Sequence, residues 1–226
     1  MKKLKVWAIS DTHMQHHFLS IPEDIDMVIH AGDSTNSYNW VNNEIEFEEF
    51  IYWFSNLPIK YKVLIAGNHD AWGIKKYNND KIKDLGIIYL DHEYAEIENR
   101  LIFGSPYTPT FNNWHFMVDK SKIARYWEAL VEGIDILITH GPPKGILDLA
   151  IDTNHKLELC GDSALFKKVI KVKPDYHIFG HLHDNENNHN YGMRTIDNLT
   201  KFYNCSVVED GKINQGVKHN GHIINI

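Results

Sequence analysis

Five short apolar runs constrain this chain more than any other feature: Leu4 to Ser10, Met27 to Ala31, Val63 to Ala66, Ile134 to Thr139 and Tyr176 to Phe179. Together they are rich in Val, Ile and Leu, and each gives way at once to polar residues, the pattern of a buried strand. Between them, helical spacing marks Asn42 to Leu57, Lys75 to Leu85, Lys120 to Glu132 and Ser163 to Val172, the first two ended by Pro58 and Gly86. Strand and helix in alternation predict an α/β fold. Ala95 to Ile97 and Leu101 to Gly104 flank the turn-like Glu98-Asn99-Arg100 and predict a hairpin. Lys201 to Val208 and Ile223 to Ile226 read as late strands with no helix between them, so the sheet is mixed or there are two sheets. The polar segments Asn185 to Asn190 and Asp210 to Gly221 are expected as surface loops. The 226 residues hold no repeat and no Pro/Gly/Ser linker. A domain takes roughly 100 to 200 residues, so the expectation is one domain over residues 1–226.

The residues just past each run carry the chemistry. In order, the runs are succeeded by Asp11-Thr12-His13, Gly32-Asp33, Gly67-Asn68-His69-Asp70, His140-Gly141 and Gly180-His181-Leu182-His183. In open α/β sheets the residues beyond the carboxyl ends of the strands line the ligand crevice, so these groups are expected to converge although they lie far apart in sequence. Within Asp11-x-His13 and His181-x-His183 the two-residue spacing puts both side chains on one side of an extended backbone. A mixture of carboxylate oxygen and imidazole nitrogen suits Mn, Fe, Co, Ni or Zn and disfavours calcium. Asp11, His13, Asp33, Asn68, His140, His181 and His183 are too many ligands for one tetrahedral ion; two divalent ions sharing a carboxylate fit better. Two dications at roughly +4, less two carboxylates and a bridging hydroxide, leave about +1, which invites a phosphate. Any one of these motifs is common by chance; all five in order are not.

Composition narrows the partners. Thirty acidic against twenty-three basic residues leave a formal charge of −7, so no global field draws the chain to nucleic acid or an anionic membrane. No apolar run approaches the roughly 18 residues of a membrane span. The opening MKKLKVWAIS has the basic start of a signal peptide, but Asp11 cuts its apolar part short and no small-residue cleavage site comes after it, so it reads as a first strand. Cys160 and Cys205 alone cannot build a disulfide framework, which makes the cytoplasm the expected location. Of the fifteen histidines, His16, His17, His92, His155, His177, His189, His219 and His222 are expected at the surface or in loops, with only His16 and His17 following a ligand motif closely enough to be expected near the site. Trp7, Trp53 and Trp127 are expected in the core, and Trp114 beside the crevice.

The order DTH, GD, GNHD, THGPP and GHLH resembles the calcineurin-like metallophosphoesterase superfamily from residue 5 to residue 206. The stretches IAGNHD, GSPYTP, ILITHGPPKGILD and HIFGHLH resemble its small single-domain phosphodiesterase branch. The resemblance implies a four-layer α/β/β/α sandwich of two mixed β-sheets flanked by helices, with a dinuclear metal centre, manganese favoured. It assigns Asp11, His13 and His183 to one ion, Asn68, His140 and His181 to the other, and Asp33 to both. His69 would face the leaving group as a catalytic residue, oriented by Asp70. The segment Ser34 to Asn39 lacks a glycine often present in this branch, and an Asn-rich stretch comes after His183; both bear on the substrate loops.

The activity expected is hydrolysis of small phosphodiesters, cyclic nucleotides among them, by a two-metal mechanism with a bridging hydroxide as nucleophile. The rivals are a phosphomonoesterase or protein phosphatase, a nuclease, and a non-catalytic metal-binding scaffold. The partner implied is a small phosphate ester, with neither membrane nor nucleic acid expected.

Overall fold

The structure, a computed structural model, describes residues 3–151, 156–196 and 199–226. Its first strands are Lys5–Ile9 (β1), Met27–His30 (β2), Tyr61–Leu64 (β3), Ile88–Tyr89 (β4), Glu93–Ile97 (β5) and Arg100–Ser105 (β6). Next come Thr108–Pro109 (β7), Met117–Val118 (β8), Ile136–Thr139 (β9), Leu149–Ile151 (β10) and Leu157–Leu159 (β11). The last are Tyr176–Phe179 (β12), Gly192–Ile196 (β13), Thr200–Asn204 (β14) and His222–Asn225 (β15). The α-helices are Trp40–Ser55 (α1), Ala71–Asp84 (α2) and Ser163–Val172 (α3).

Two large sheets carry the architecture. The first runs β15-β1-β2-β3-β4, parallel except for β15. The second runs β13-β14-β12-β9-β6-β5, with a parallel centre and antiparallel edges at β13 and β5. Side chains alternate faces along a strand, and here both faces find apolar partners. Val6 and Ala8 of β1 enter a core between the sheets with Ile29, Ile136, Ile138 and Ile178. Trp7 and Ile9 point the other way, under Phe47, Phe50 and Phe54 of α1. Leu137, Phe179 and Phe202 on the far face of the second sheet meet Leu165 and Val169 of α3 and Trp127. Helix, sheet, sheet and helix therefore stack as four layers, and burial on both faces is why the strands read as unbroken apolar runs rather than alternating ones.

The helices start where their caps dictate. Asn39 accepts from Val41 N at 3.0 Å and Asn42 N at 3.3 Å to open α1, and Asp162 accepts from Ala164 N at 2.7 Å to open α3, each satisfying a donor that the first turn leaves unpaired. Three expectations need correction. The helix expected from Lys75 begins at Ala71 and is broken at Asn78, which has φ 51°. Lys120 to Glu132 forms a 3-10 helix over Ile123–Ala129 instead of an α-helix; Asp119 takes Ser121 N with its side chain and Lys122 N with its carbonyl, which starts the segment as tight turns. In the expected surface loop Asn185 to Asn190, Asn188 and Asn190 are buried. The Asn190 amide donates to the carbonyls of His183 and Leu149 and accepts from Leu149 N, so a polar side chain goes inside by pairing with backbone.

Two histidines are also misplaced by the sequence reading. His177 is fully buried within β12, its Nε2 2.8 Å from Thr139 Oγ1. His16 is buried against the rings of Phe50 and Trp53. Burial drives each pKa down to about 3, with neighbouring His17 adding to the effect at His16, so both stay neutral and can be enclosed. His17 and His189 are exposed as expected, and His155 lies outside the described residues. No helix among the described residues is long and apolar enough to cross a membrane.

Candidate metal centre

The parallel strands β1, β2 and β3 of one sheet and β9 and β12 of the other finish at a common edge, and each of the five delivers one motif there. The turns are tight. Asp11, His13, Asp33 and His181 have φ of 54°, 39°, 56° and 71°, a left-handed conformation that non-glycine residues hold only where their surroundings enforce it. Asp11 N donates to Gly32 O at 2.9 Å and His13 N to Asp33 O at 3.2 Å, so the first two turns are stitched together. Gly180 and Gly67 give the space: a Cβ on Gly180 would strike the carboxylate of Asp11, and one on Gly67 would strike that of Asp33.

All seven sequence-predicted ligands arrive at this edge. Ligand atoms of Asp11, His13 and His183 lie within 4.8 Å of one another, and so do those of Asp33, His140 and His181. Asn68 Oδ1 is 3.0 Å from His140 Nε2. Asp33 stands between the groups, its Oδ2 3.3 Å from His140 Nε2, 3.9 Å from His13 Nε2 and 4.0 Å from His69 Nε2.

Backbone carbonyls set the tautomers. His13 Nδ1 donates to Thr35 O and His140 Nδ1 to Ala31 O, both at 2.9 Å, which turns each Nε2 toward the site. His13 Nε2 is buried and has no hydrogen-bond partner. A buried acceptor without a partner is costly, and a divalent cation answers it, so the donor set fits the metal that the sequence implies. Asp11 is held by His181 N at 2.9 Å and by the Ser206 hydroxyl at 2.8 Å. His183 Nδ1 lies 2.8 Å from the Asp210 carboxylate, out of line for a hydrogen bond.

The site is built to attract positive charge. Burial opposes ionisation at both carboxylates, yet His183 beside Asp11 and His140 beside Asp33 outweigh it and hold the two acids below the usual range. Burial likewise opposes a charge on His183 and His140, but Asp11 and Asp210 push the first up to about 10, and Asp33 pushes the second up to about 9. His13 and His181 go the other way, down to about 4 and about 3, chiefly through burial.

The role expected of Asp70 is corrected by its contacts. Its Oδ1 accepts from Ser34 N at 2.9 Å, Ser34 Oγ at 2.7 Å, Thr35 N at 3.0 Å and Thr35 Oγ1 at 3.2 Å, and Oδ2 accepts from Gly67 N at 2.9 Å. It points away from the His69 ring, whose Nδ1 instead lies 3.1 Å from Asn36 O and whose face meets Trp114 at 4.2 Å between centroids. Asp70 opens α2, so its carboxylate hangs back under the Ser34–Thr35 turn and fastens the Asp33 and Asn68 loops to each other. Asp70→Ala should leave several buried donors unpaired and cost about 3 kcal/mol or more, a fall of about 6 to 12 °C in Tm for a chain of this size. Thermal unfolding of Asp70→Ala beside His69→Ala checks this: equal small shifts would mean that Asp70 fastens nothing.

Ser206, Asp210 and the carbonyls of Ala31, Thr35 and Asn36 are the working residues that the sequence reading missed. A carbonyl has no sequence identity, and Ser206 and Asp210 sit outside any motif; only their position just after β14, beside the other strand ends, would have drawn notice. Trp114 does line the crevice, a cavity of about 1130 Å³, with Phe111 beside His181 at 5.1 Å between ring centroids.

The family model for calcineurin-like phosphoesterases matches residues 4–185, and this span contains the five strand-end motifs. The chain belongs to the calcineurin-like phosphoesterase family. Its members are hydrolases of phosphate esters that use divalent metal ions. Metallophosphoesterase domain-containing protein 1 of Homo sapiens is 32% identical over 225 residues, covering 88% of this chain and 65% of that protein. The chain thus spans just under two thirds of that relative's length. UPF0046 protein K07C11.7 of Caenorhabditis elegans is 34% identical over 212 residues, 88% of this chain and 70% of that one. The crystal structure of TT1561 of Thermus thermophilus superposes with a TM-score of 0.62 at 10% identity, over 90% of this chain and 89% of that one, a likeness of fold alone.

Proposed function

We propose that this calcineurin-like phosphoesterase hydrolyses small phosphodiesters, cyclic nucleotides among the candidates, at a centre of two divalent ions, with manganese the favoured metal. The observation that carries the reading is Asp33 Oδ2, within 4.0 Å of His13, His69 and His140 and shared by both ligand groups. Asp11, His13 and His183 would hold one ion, Asn68, His140 and His181 the other, and Asp33 both. When bound, such ions acidify water and neutralise charge on the phosphoryl oxygens.

The protein's own residues do the rest. His181 N and Ser206 fix the Asp11 carboxylate, and His69 N fixes Asp33 Oδ1 at 2.8 Å, so neither acid can rotate away. Asn68 would contribute an oxygen without a charge, which would keep the loaded centre attractive to an anion. His69 directs Nε2 to the site while Nδ1 is tied to Asn36 O, so Nε2 is the atom from which a proton would pass to the departing ester oxygen. Trp114 and Phe111 line the cavity beside His69 and His181, apolar surface that would suit the organic substituent of a diester. Cys160 and Cys205 are both free, in keeping with a reducing cytoplasmic setting. His69 at the centre favours an enzyme over a metal-binding scaffold.

Purified protein should hydrolyse bis-p-nitrophenyl phosphate faster than p-nitrophenyl phosphate in Mn²⁺, lose both activities to a chelator, and regain them when Mn²⁺ returns. The circular dichroism spectrum should not change on chelation, because three apolar clusters hold the layers together without a metal. Preference for the monoester would overturn the diester reading. Loss of the folded signal along with the metal would favour a structural site.

A further inference from the structure

We propose that His16, His17 and Glu49 form a second, peripheral binding site for a divalent ion of the zinc class, separate from the seven residues of the central site. A ring nitrogen of each histidine and a carboxylate oxygen of Glu49 lie within 4.8 Å of one another, and His17 Nε2 is 2.8 Å from Glu49 Oε1. The independent observation is His16. Its side chain is 0% exposed, and neither Nδ1 nor Nε2 has a hydrogen-bond partner. Among the described residues His16 is the buried imidazole with both ring nitrogens unpartnered; His177 lacks a partner at Nδ1 but pairs Nε2 with Thr139, His13 lacks one at Nε2 but pairs Nδ1 with Thr35, and His30 and His140 are paired. An unpaired buried nitrogen is costly, and a metal–nitrogen bond offsets that cost.

The geometry around the cluster is already ordered. The ring of His16 is 4.7 Å from that of Trp53 and 5.6 Å from that of Phe50, both on α1 with Glu49, and 4.1 Å from that of His17. Glu49 projects from a capped four-turn helix, and the histidines sit on a 3-10 turn, His16–Phe18. Two imidazoles and one carboxylate are the donor set that zinc accepts in tetrahedral sites with a water as fourth ligand, and calcium and magnesium, which favour oxygen, fit it poorly. His17 and Glu49 have side chains 55% and 53% exposed, so an ion can enter from solvent and the fourth position faces water. Such an ion would clamp the segment just after Asp11 and His13 to α1.

The test is zinc content. After dialysis of the full chain against Zn²⁺, the double variant His17→Ala, Glu49→Gln should hold one ion fewer than the wild type. Each single variant should weaken that ion by more than the about 10- to 100-fold that loss of an outer-shell partner costs. Both side chains are exposed, so circular dichroism of the variants should match the wild type. Equal zinc content and affinity in all four proteins would overturn the proposal. A second reading needs no variant: an anomalous map of Zn²⁺-soaked wild-type crystals should place a peak between these three residues, and no peak there would likewise overturn it. The comparison is a difference between chains with identical central sites, so its outcome is independent of the function proposed for them.

Discussion

Asp33→Asn is expected to lower diester turnover by about 10³-fold or more, the equivalent of about 4 kcal/mol at about 1.4 kcal/mol per tenfold. Asn is the cleaner replacement for two structural reasons. Asp33 has φ 56°, which Asn tolerates and Ala does not. Its Oδ1 accepts from His69 N, a bond that the Asn amide oxygen can keep. What Asn removes is the negative charge at Oδ2, the atom that faces His13 on one side and His140 on the other. Both ligand groups lose the charge they share, so both ions should weaken together. His183→Ala touches one group only and should chiefly weaken one ion. Asp33→Asn turning over bis-p-nitrophenyl phosphate at the wild-type rate would show that the carboxylate is not shared.

His69→Asn should damage a step rather than the site. His69 stands outside the two ligand groups assigned above, although its ring nitrogen also clusters with His13 and Asp33, and its Nδ1 is occupied by Asn36 O. Its Nε2 faces the site, and a placed acid contributes about 10² to 10⁴ in rate where the leaving oxygen needs one. Nitrophenolate leaves with little help, whereas an alkyl or ribose oxygen does not. The variant should therefore lose about 10² or more on an alkyl or nucleoside diester and little on the nitrophenyl diester, with metal content unchanged. Equal losses on both substrates with the metal retained would reduce His69 to a positioning residue. Asp70 variants should not share this leaving-group pattern, since the carboxylate binds Ser34, Thr35 and Gly67 and not the His69 ring.

Much of the centre was legible because its logic is topological. Five parallel strands buried on both faces produce five apolar runs, and ligands placed within about four residues past each run come to the same edge. All seven side chains do converge there. That reasoning failed where partners are non-local or have no side-chain identity. The pairing of Asp70 with Ser34 spans 36 residues, and the carbonyls of Thr35 and Ala31 that set the His13 and His140 tautomers can belong to any residue type. It failed also for His16 and His177, since polarity predicts exposure, and only packing reveals that a neutral imidazole can lie against Phe50 and Trp53 or inside β12. The 3-10 helix at Ile123–Ala129 keeps the apolar spacing of an α-helix, with Ile123 and Trp127 buried, so periodicity could not separate the two.

The central claim is that two ions share Asp33, and a count of manganese tests it most directly. The count is made on a chain carrying His17→Ala and Glu49→Gln, so that the peripheral cluster cannot contribute, and diester turnover is followed as Mn²⁺ is titrated into the metal-free protein. Two ions per chain are predicted, with turnover reaching its maximum only when the second has bound. Full turnover at one ion per chain would contradict the account.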